Sequence, residues 1–297
     1  MGPGRPRRAT HAGANAMDRA EVPYRLVVFD ALDDPPAVRD LFARVTGAHP
    51  VDAMQWVARV PGVWPKLLEE SQARQLLDGL YDLKVAAEAW RVDAFPDLRR
   101  PRTIHEAACI DGGLRITGLR GEPTHWVPWD KVELIAAGAI AAADPGREPT
   151  PPGWVNAIST GFRAAIGRAP RAARRSRGFR TPRDPVAEVL IVRRDPLVAF
   201  RVVANQMNYG YLGDRIQPAA IDNFPVFLAD LKRLATTAFV TSTTDDLLSD
   251  SDEVDPDDYE FTSTQSLVDY ATLRLLWGWY RRDRNKLEGT GEHEELA

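Results

Sequence analysis

Cysteine and lysine are nearly missing from this chain. Cys109 is the one cysteine in 297 residues, so no disulfide can form within the chain, which fits a reducing compartment. Lysine numbers five against 33 arginines, so a basic stretch here reflects an arginine bias before it reflects a ligand. No uninterrupted apolar run approaches the roughly 18 residues that a membrane span needs. The first twenty residues, MGPGRPRRATHAGANAMDRA, are basic but lack the apolar stretch of a secretory signal. Met17 is an alternative start, and the expected location is cytoplasmic. Neither sign of charge dominates: a net charge of -4 exerts no global pull toward nucleic acid or anionic membrane. No Walker loop, catalytic triad or paired-carboxylate geometry can be assigned from spacing, so the expectation is a protein without enzymatic activity, cofactor or metal.

An apolar share of 44% suffices for real cores, and the length suits two domains. Charge is segregated along the chain. Seven arginines fall between Arg168 and Arg183 among Ala, Pro, Gly and Ser, a composition too poor in apolar surface to offset the entropy of ordering. The expected organisation is a disordered extension over 1–21, a compact unit over 22–93 and a mainly β domain with C-terminal helices over 101–286. A disordered Arg-rich insert (144–185) and a solvated acidic loop (243–258) interrupt the second domain, and 287–297 is a disordered tail. Only Phe179 offers an aromatic platform near the arginine run, so nucleic acid is not an expected partner.

Periodicity carries the N-terminal reading. YRLVVFD (24–30) has the composition of a strand, and Pro35-Pro36 stands where a helix's first turn tolerates proline. Val38, Leu41, Phe42 and Val45 then follow at helical spacing until Gly47. Ala53, Trp56, Val57 and Val60 repeat the pattern before Pro61-Gly62, and Ala73, Leu76, Leu77 and Leu80 repeat it again. KVAAEAWRV closes as a strand. The expected order is β-α-α-β-α-β: one-faced helices over a small sheet, closing a core within the span.

The segments VRDLFARVTG, PVDAMQWVARVP and ARQLLDGLYDLKVAAEA resemble the C-terminal domain of the bacterial ribosomal stalk protein. The likeness runs from Val38 to Ala89 without a gap. It implies the two-layer α/β fold of that family, which recruits translational GTPases through basic residues on its first two helices. Laid onto this sequence, those positions fall on Asp40, Ala43, Val51 and Met54, so the recruiting charges are absent. The related fold of the Clp protease adaptor is also similar in its opening strand and acidic turn, YRLVVFDALDDPP. Its histidine-glycine motif is met here by RVPGVW, without a histidine.

The remainder reads as hairpin material from Gly113 to Ile140, two further strands in AEVLIVRR and LVAFRVVA, and a helix bearing Phe224, Phe227, Leu228 and Leu231. Antiparallel strands with one amphipathic helix look like a pleckstrin-homology-like barrel, giving an overall α+β class. A final helix in STQSLVDYATLRLLWGWYRRDR carries apolar and aromatic residues around most of its circumference, so either the domain or a second copy of the chain must bury it.

Candidate binding residues fall in two places. Val51 points away from the stripe of the second helix, and with Ala43 and Met54 it puts an apolar surface where the stalk family is cationic. Asn208, Tyr209 and Tyr211 in MNYGYLGDR surround two glycines and could line a pocket, although Gly210 and Gly213 also mark a turn. His105 and Cys109 share a face on either a helix or a strand, but two ligands make no zinc site. DSDEVDPDD lacks the glycine and closing glutamate of a calcium loop. These features point to an intracellular protein-protein interaction module, with a peptide-binding protease adaptor, or a ligand-sensing or enzymatic second domain, as alternatives.

Overall fold

Capping residues set the start and stop of the first helices. The computed structural model describes residues 22–118, 123–141, 185–249, 255 and 258–291, the last six by backbone only. The expected N-terminal extension lies outside the described residues, as does the Arg-rich insert apart from residue 185. Strand β1 (Tyr24–Val28) leads to α1 (Pro35–Thr46), α2 (Pro50–Val57), β2 (Gly62–Val63), α3 (Glu70–Asp82) and β3 (Ala87–Arg91). Asp34 Oδ1 accepts the Ala37 N–H at 3.0 Å in front of Pro35-Pro36, and Gly47 ends α1 at φ +66°. His49 Nδ1 accepts the Val51 N–H at 3.2 Å at the start of α2. The strands pair antiparallel in the order β2-β1-β3.

One face of this sheet carries the three helices. Leu26 and Val28 meet Phe42, Ala53, Val57 and Leu76 in a closed core, where Phe42 stacks on Trp64 with centroids 3.8 Å apart. Strand alternation turns Val27 the other way, and that second face, with Phe29 at the strand's end, is buried too.

The second unit comprises β4 (Arg102–Ile104), β5 (Ala107–Ile110), β6 (Gly113–Ile116), β7 (His125–Pro128), β8 (Val132–Ile140), β9 (Val186–Arg193) and β10 (Val198–Val203). It continues with α4 (Ala220–Leu234), β11 (Phe239–Val240), α5 (Ser242–Leu248), β12 (Glu260–Phe261) and α6 (Thr264–Gly291). Strands and helices together make the molecule α+β. The main sheet runs β11-β8-β9-β10-β4, with β12 also on β8, while β5-β6-β7 form a separate meander. The expectation of an antiparallel sheet is corrected, because β4 lies parallel to β10, and β11 and β12 lie parallel to β8. Each of these three strands reaches its partner through a long connection rather than a hairpin turn, which permits the same direction. The path also ends at β11 and β4, so the described strands do not close into a barrel.

The acidic stretch is corrected as well. Residues 243–248 lie in α5, not in a loop, because their threonines complete the edge of β8. β11 pairs with Leu134 and Ile135, and β12 pairs with Ala139 and Ile140. Between them the Ala137 N–H donates to Thr244 Oγ1 at 2.8 Å, and Thr243 Oγ1 donates to the Ala137 carbonyl at 2.8 Å. Side chains of a helix thus fill the gap between two short strands, leaving no unpaired backbone there. Asp245 pairs with Lys232 at 2.8 Å.

Helix α6 is the centre of the molecule. On one side Leu267, Ala271 and Leu275 pack on Leu134, Leu190 and Val192 of the main sheet. On the other, Leu273 and Leu276 meet Val27 and Phe29 of the small sheet; the Phe29 ring lies 5.2 Å from Trp277 and 4.9 Å from Tyr280. Of the two covers expected for this aromatic surface, the chain itself or a second copy, the chain itself packs against it. α6 also runs to Gly291, five residues into the expected tail.

Two buried glutamates fasten this helix to the sheet. Glu188 accepts from Thr264 at the start of α6 (3.0 and 3.1 Å) and from Arg201. Glu133 accepts from Trp279 Nε1 at 2.9 Å and from Arg282 near the other end. Strand parity would turn Glu133 away from α6. A bulge between Val132 and Leu134 inserts one residue opposite Arg193 and Val192, placing Glu133 and Leu134 both toward the helix.

At the joint with the small sheet, Glu88 on β3 accepts from Trp90 Nε1 at 2.9 Å. Burial raises its carboxyl above the usual range, the Trp90 hydrogen bond opposes this, and the like charge of Asp283 on α6 adds to it. A raised carboxyl contributes most below its unfolded value, and that contribution is lost as pH rises through the folded one. Glu88→Gln, whose amide oxygen still accepts from Trp90, is expected to stabilise the protein slightly at pH 7. The gain should be below about 1 kcal/mol for a half-solvated group and should vanish near pH 4. Thermal unfolding at the two pH values checks this.

Candidate functional site

Two features stand out among the described residues: an apolar groove on the small unit and a hydrogen-bonded charge cluster on the second.

The groove follows from the first turn of α2. Ala53 and Val57 are buried, and at 100° per residue Val51 falls about 200° from Ala53, on the outer side. Val51 is 58% exposed. With Pro50, Met54, Gln55, Ala58 and Arg39 of α1 it lines an open groove of about 500 Å³. Arg39 is the charged residue in the lining, and it pairs with Asp40 at 2.7 Å in solvent, an interaction worth little. Of the residues expected here, Val51 and Met54 line the groove. Ala43, one turn after Arg39, is half-buried against the core under α1 and not part of the lining.

The Asn208–Arg215 stretch is spent on local structure. Asn208 Oδ1 accepts the Gly210 N–H at 2.9 Å, forming a turn, and its backbone N–H donates to the His105 carbonyl at 2.7 Å. Tyr209 is 3% exposed, and its hydroxyl donates to the Ala204 carbonyl at 2.9 Å. Tyr211 is half-buried and donates to Asp230 Oδ2 at 3.1 Å. His105 precedes β5 with Nδ1 3.3 Å from the Gln206 carbonyl, and Cys109 faces the core beside Tyr211. No group of three or more His, Cys, Asp or Glu that could hold a metal occurs among the described residues.

Asp230 joins these pieces. It occupies the buried stripe of α4 between Phe227 and Leu231 and is itself 5% exposed. Arg215 donates to both oxygens (3.2 and 2.8 Å), Arg233 to Oδ1 (3.0 Å) and Tyr211 to Oδ2. Burial alone would raise the carboxyl, but the bonds from Arg215, Arg233 and Tyr211 outweigh it and hold Asp230 below the usual range. Burial pushes the Cys109 thiol up to about 12, and burial also raises Tyr211, so both are neutral near pH 7. A thiol held protonated is a poor nucleophile. Motif reasoning passed over Asp230, although an acid inside an apolar helical stripe is a visible signal of a buried ion pair.

No protein-family model, curated protein or solved structure matches the chain. No helix of the described residues is long and apolar enough to cross a membrane.

Proposed function

We propose that the chain is a non-enzymatic protein-protein interaction module, working inside the cell, that docks a partner on the α1–α2 face. The observation that carries this reading is the exposed Val51 in an apolar groove beside Met54, Pro50 and Ala58. An open apolar depression suits dry contact with a partner's side chain. The other described residues leave it free: α6 covers the opposite side of the small unit, through Val27 and Phe29. The occupant is a partner segment with an apolar anchor flanked by a carboxylate, because Arg39 at the groove has only a solvent-exposed neighbour to give up. The stalk-like resemblance of 38–89 supports the use of these two helices for recognition. The apolar residues at 43, 51 and 54 argue against translational GTPases as the partner.

The double change Val51→Lys and Met54→Lys tests it. The folded state should lose less than about 1 kcal/mol, since both side chains already reach solvent. A partner recovered by the wild-type chain, and shown by amide exchange to protect α2, should bind at least about tenfold more weakly to the variant. Equal binding of that partner by the two proteins would sink the proposal. Gain of a translational GTPase by the variant would instead place the function nearer the stalk family.

A further inference from the structure

The Asp230 cluster is unbalanced in charge. Arg215 and Arg233 both bond one carboxylate, while Cys109 and Tyr211 are neutral, so two cations share a single anion. They meet at Oδ1, where Arg215 Nη1 stands at 3.2 Å and Arg233 Nη2 at 3.0 Å. Two guanidinium groups that converge on one oxygen repel each other, and one carboxylate offsets this only in part. Asp230 already accepts four hydrogen bonds and has no further capacity.

The arginines, in contrast, remain accessible. Their side chains are 53% and 65% exposed, against 7% for Asp230, and most of their N–H donors are unspent. Arg215 is also held in place. Asn223, 3% exposed, accepts the Gln217 N–H at 2.7 Å and donates to the Gln217 and Ala219 carbonyls, and Gln217 Nε2 donates to the Arg215 carbonyl at 3.2 Å. The segment carrying Arg215 is thus fixed from both its backbone and its side chain. Lys232, the neighbouring cation on α4, is occupied by Asp245 at 2.8 Å.

We propose that Arg215 and Arg233, oriented by Asp230, form a binding site for a phosphate monoester. A phosphate monoester bridging the two forks would supply the further anion that two guanidinium groups on one carboxylate lack, with several oxygens to accept the unspent donors. Because the groups are fixed before the ligand arrives, little ordering entropy opposes binding. The phosphate could belong to a soluble compound or to a lipid headgroup.

Titration of the full chain with inorganic phosphate, followed by calorimetry and phosphorus NMR at constant ionic strength, tests the site. Saturable binding is expected, with Arg233→Gln and Arg215→Gln each weakening it about tenfold or more. Circular dichroism and the thermal midpoint verify that the variants are folded; Arg233 stands on the exposed side of α4, and its loss leaves Asp230 paired to Arg215. Vesicles containing phosphatidic acid, which carries a phosphate monoester, are compared with phosphatidylserine vesicles of equal charge. Preference for the former, lost in Arg233→Gln, assigns a lipid headgroup; a response to free phosphate without vesicle binding assigns a soluble ligand. Absence of saturable phosphate binding, or an unchanged affinity in folded Arg233→Gln, would overturn the proposal.

Discussion

Phe42→Ala is expected to lower the unfolding free energy by about 3–5 kcal/mol. The Phe42 ring is fully buried and lies nearly parallel to the indole of Trp64, with 13° between planes. Trp56 meets that indole edge-on at 4.7 Å. Removing the ring leaves a cavity walled by Trp64, by the helices and by β1, none of which can shift without loosening its own hydrogen bonds. Urea unfolding would measure the loss, and Trp64 emission would move to longer wavelength as water reaches the cavity. A loss below about 1 kcal/mol would mean that the small core is not the packed body described.

Asp230→Ala is expected to remove part of the protein's resistance to acid. The folded carboxyl titrates below its unfolded value of about 3.9, so its contribution is present above that pH and disappears as pH falls through the folded value. At pH 7 the variant should lose about 1–3 kcal/mol. Arg215 and Arg233 can turn to solvent, but the half-buried Tyr211 hydroxyl loses its acceptor. The difference between wild type and variant should shrink steadily below pH 4. If it stayed constant from pH 7 to pH 3, the carboxylate would not be the titrating group that secures α4 to the 210–215 segment.

Much of the small unit was legible because helix and strand periods are local. The stripes on α1, α2 and α3 are visible as spacing, and the same spacing puts Val51 outside. Gly47 and Pro35-Pro36 mark helix ends for reasons confined to a few residues. The second face of the small sheet was not legible: Val27 and Phe29 alternate with Leu26 and Val28 in an unbroken apolar run, which reads equally well as one covered face or two. Only the arrival of α6 decides it. The acidic stretch misled for a similar reason. Composition marks 243–258 as solvated, yet Thr241, Thr243 and Thr244 find their partners on Ala137 and Ile135, more than a hundred residues earlier.

Charge pairing divides the same way. Residue spacing alone places the apolar stripe of α4, and with it carries Asp230 inward beside Phe227 and Leu231. It could not name Arg215, Tyr211 and Arg233 as the group's companions, because two of the three lie on a separate turn. It showed Glu133 and Glu188 only as acids inside strands. The bulge at Val132/Leu134 and the placement of α6 decided that both face the same helix, since which side of a strand a residue takes depends on its pairing register, and register is settled between strands rather than within one.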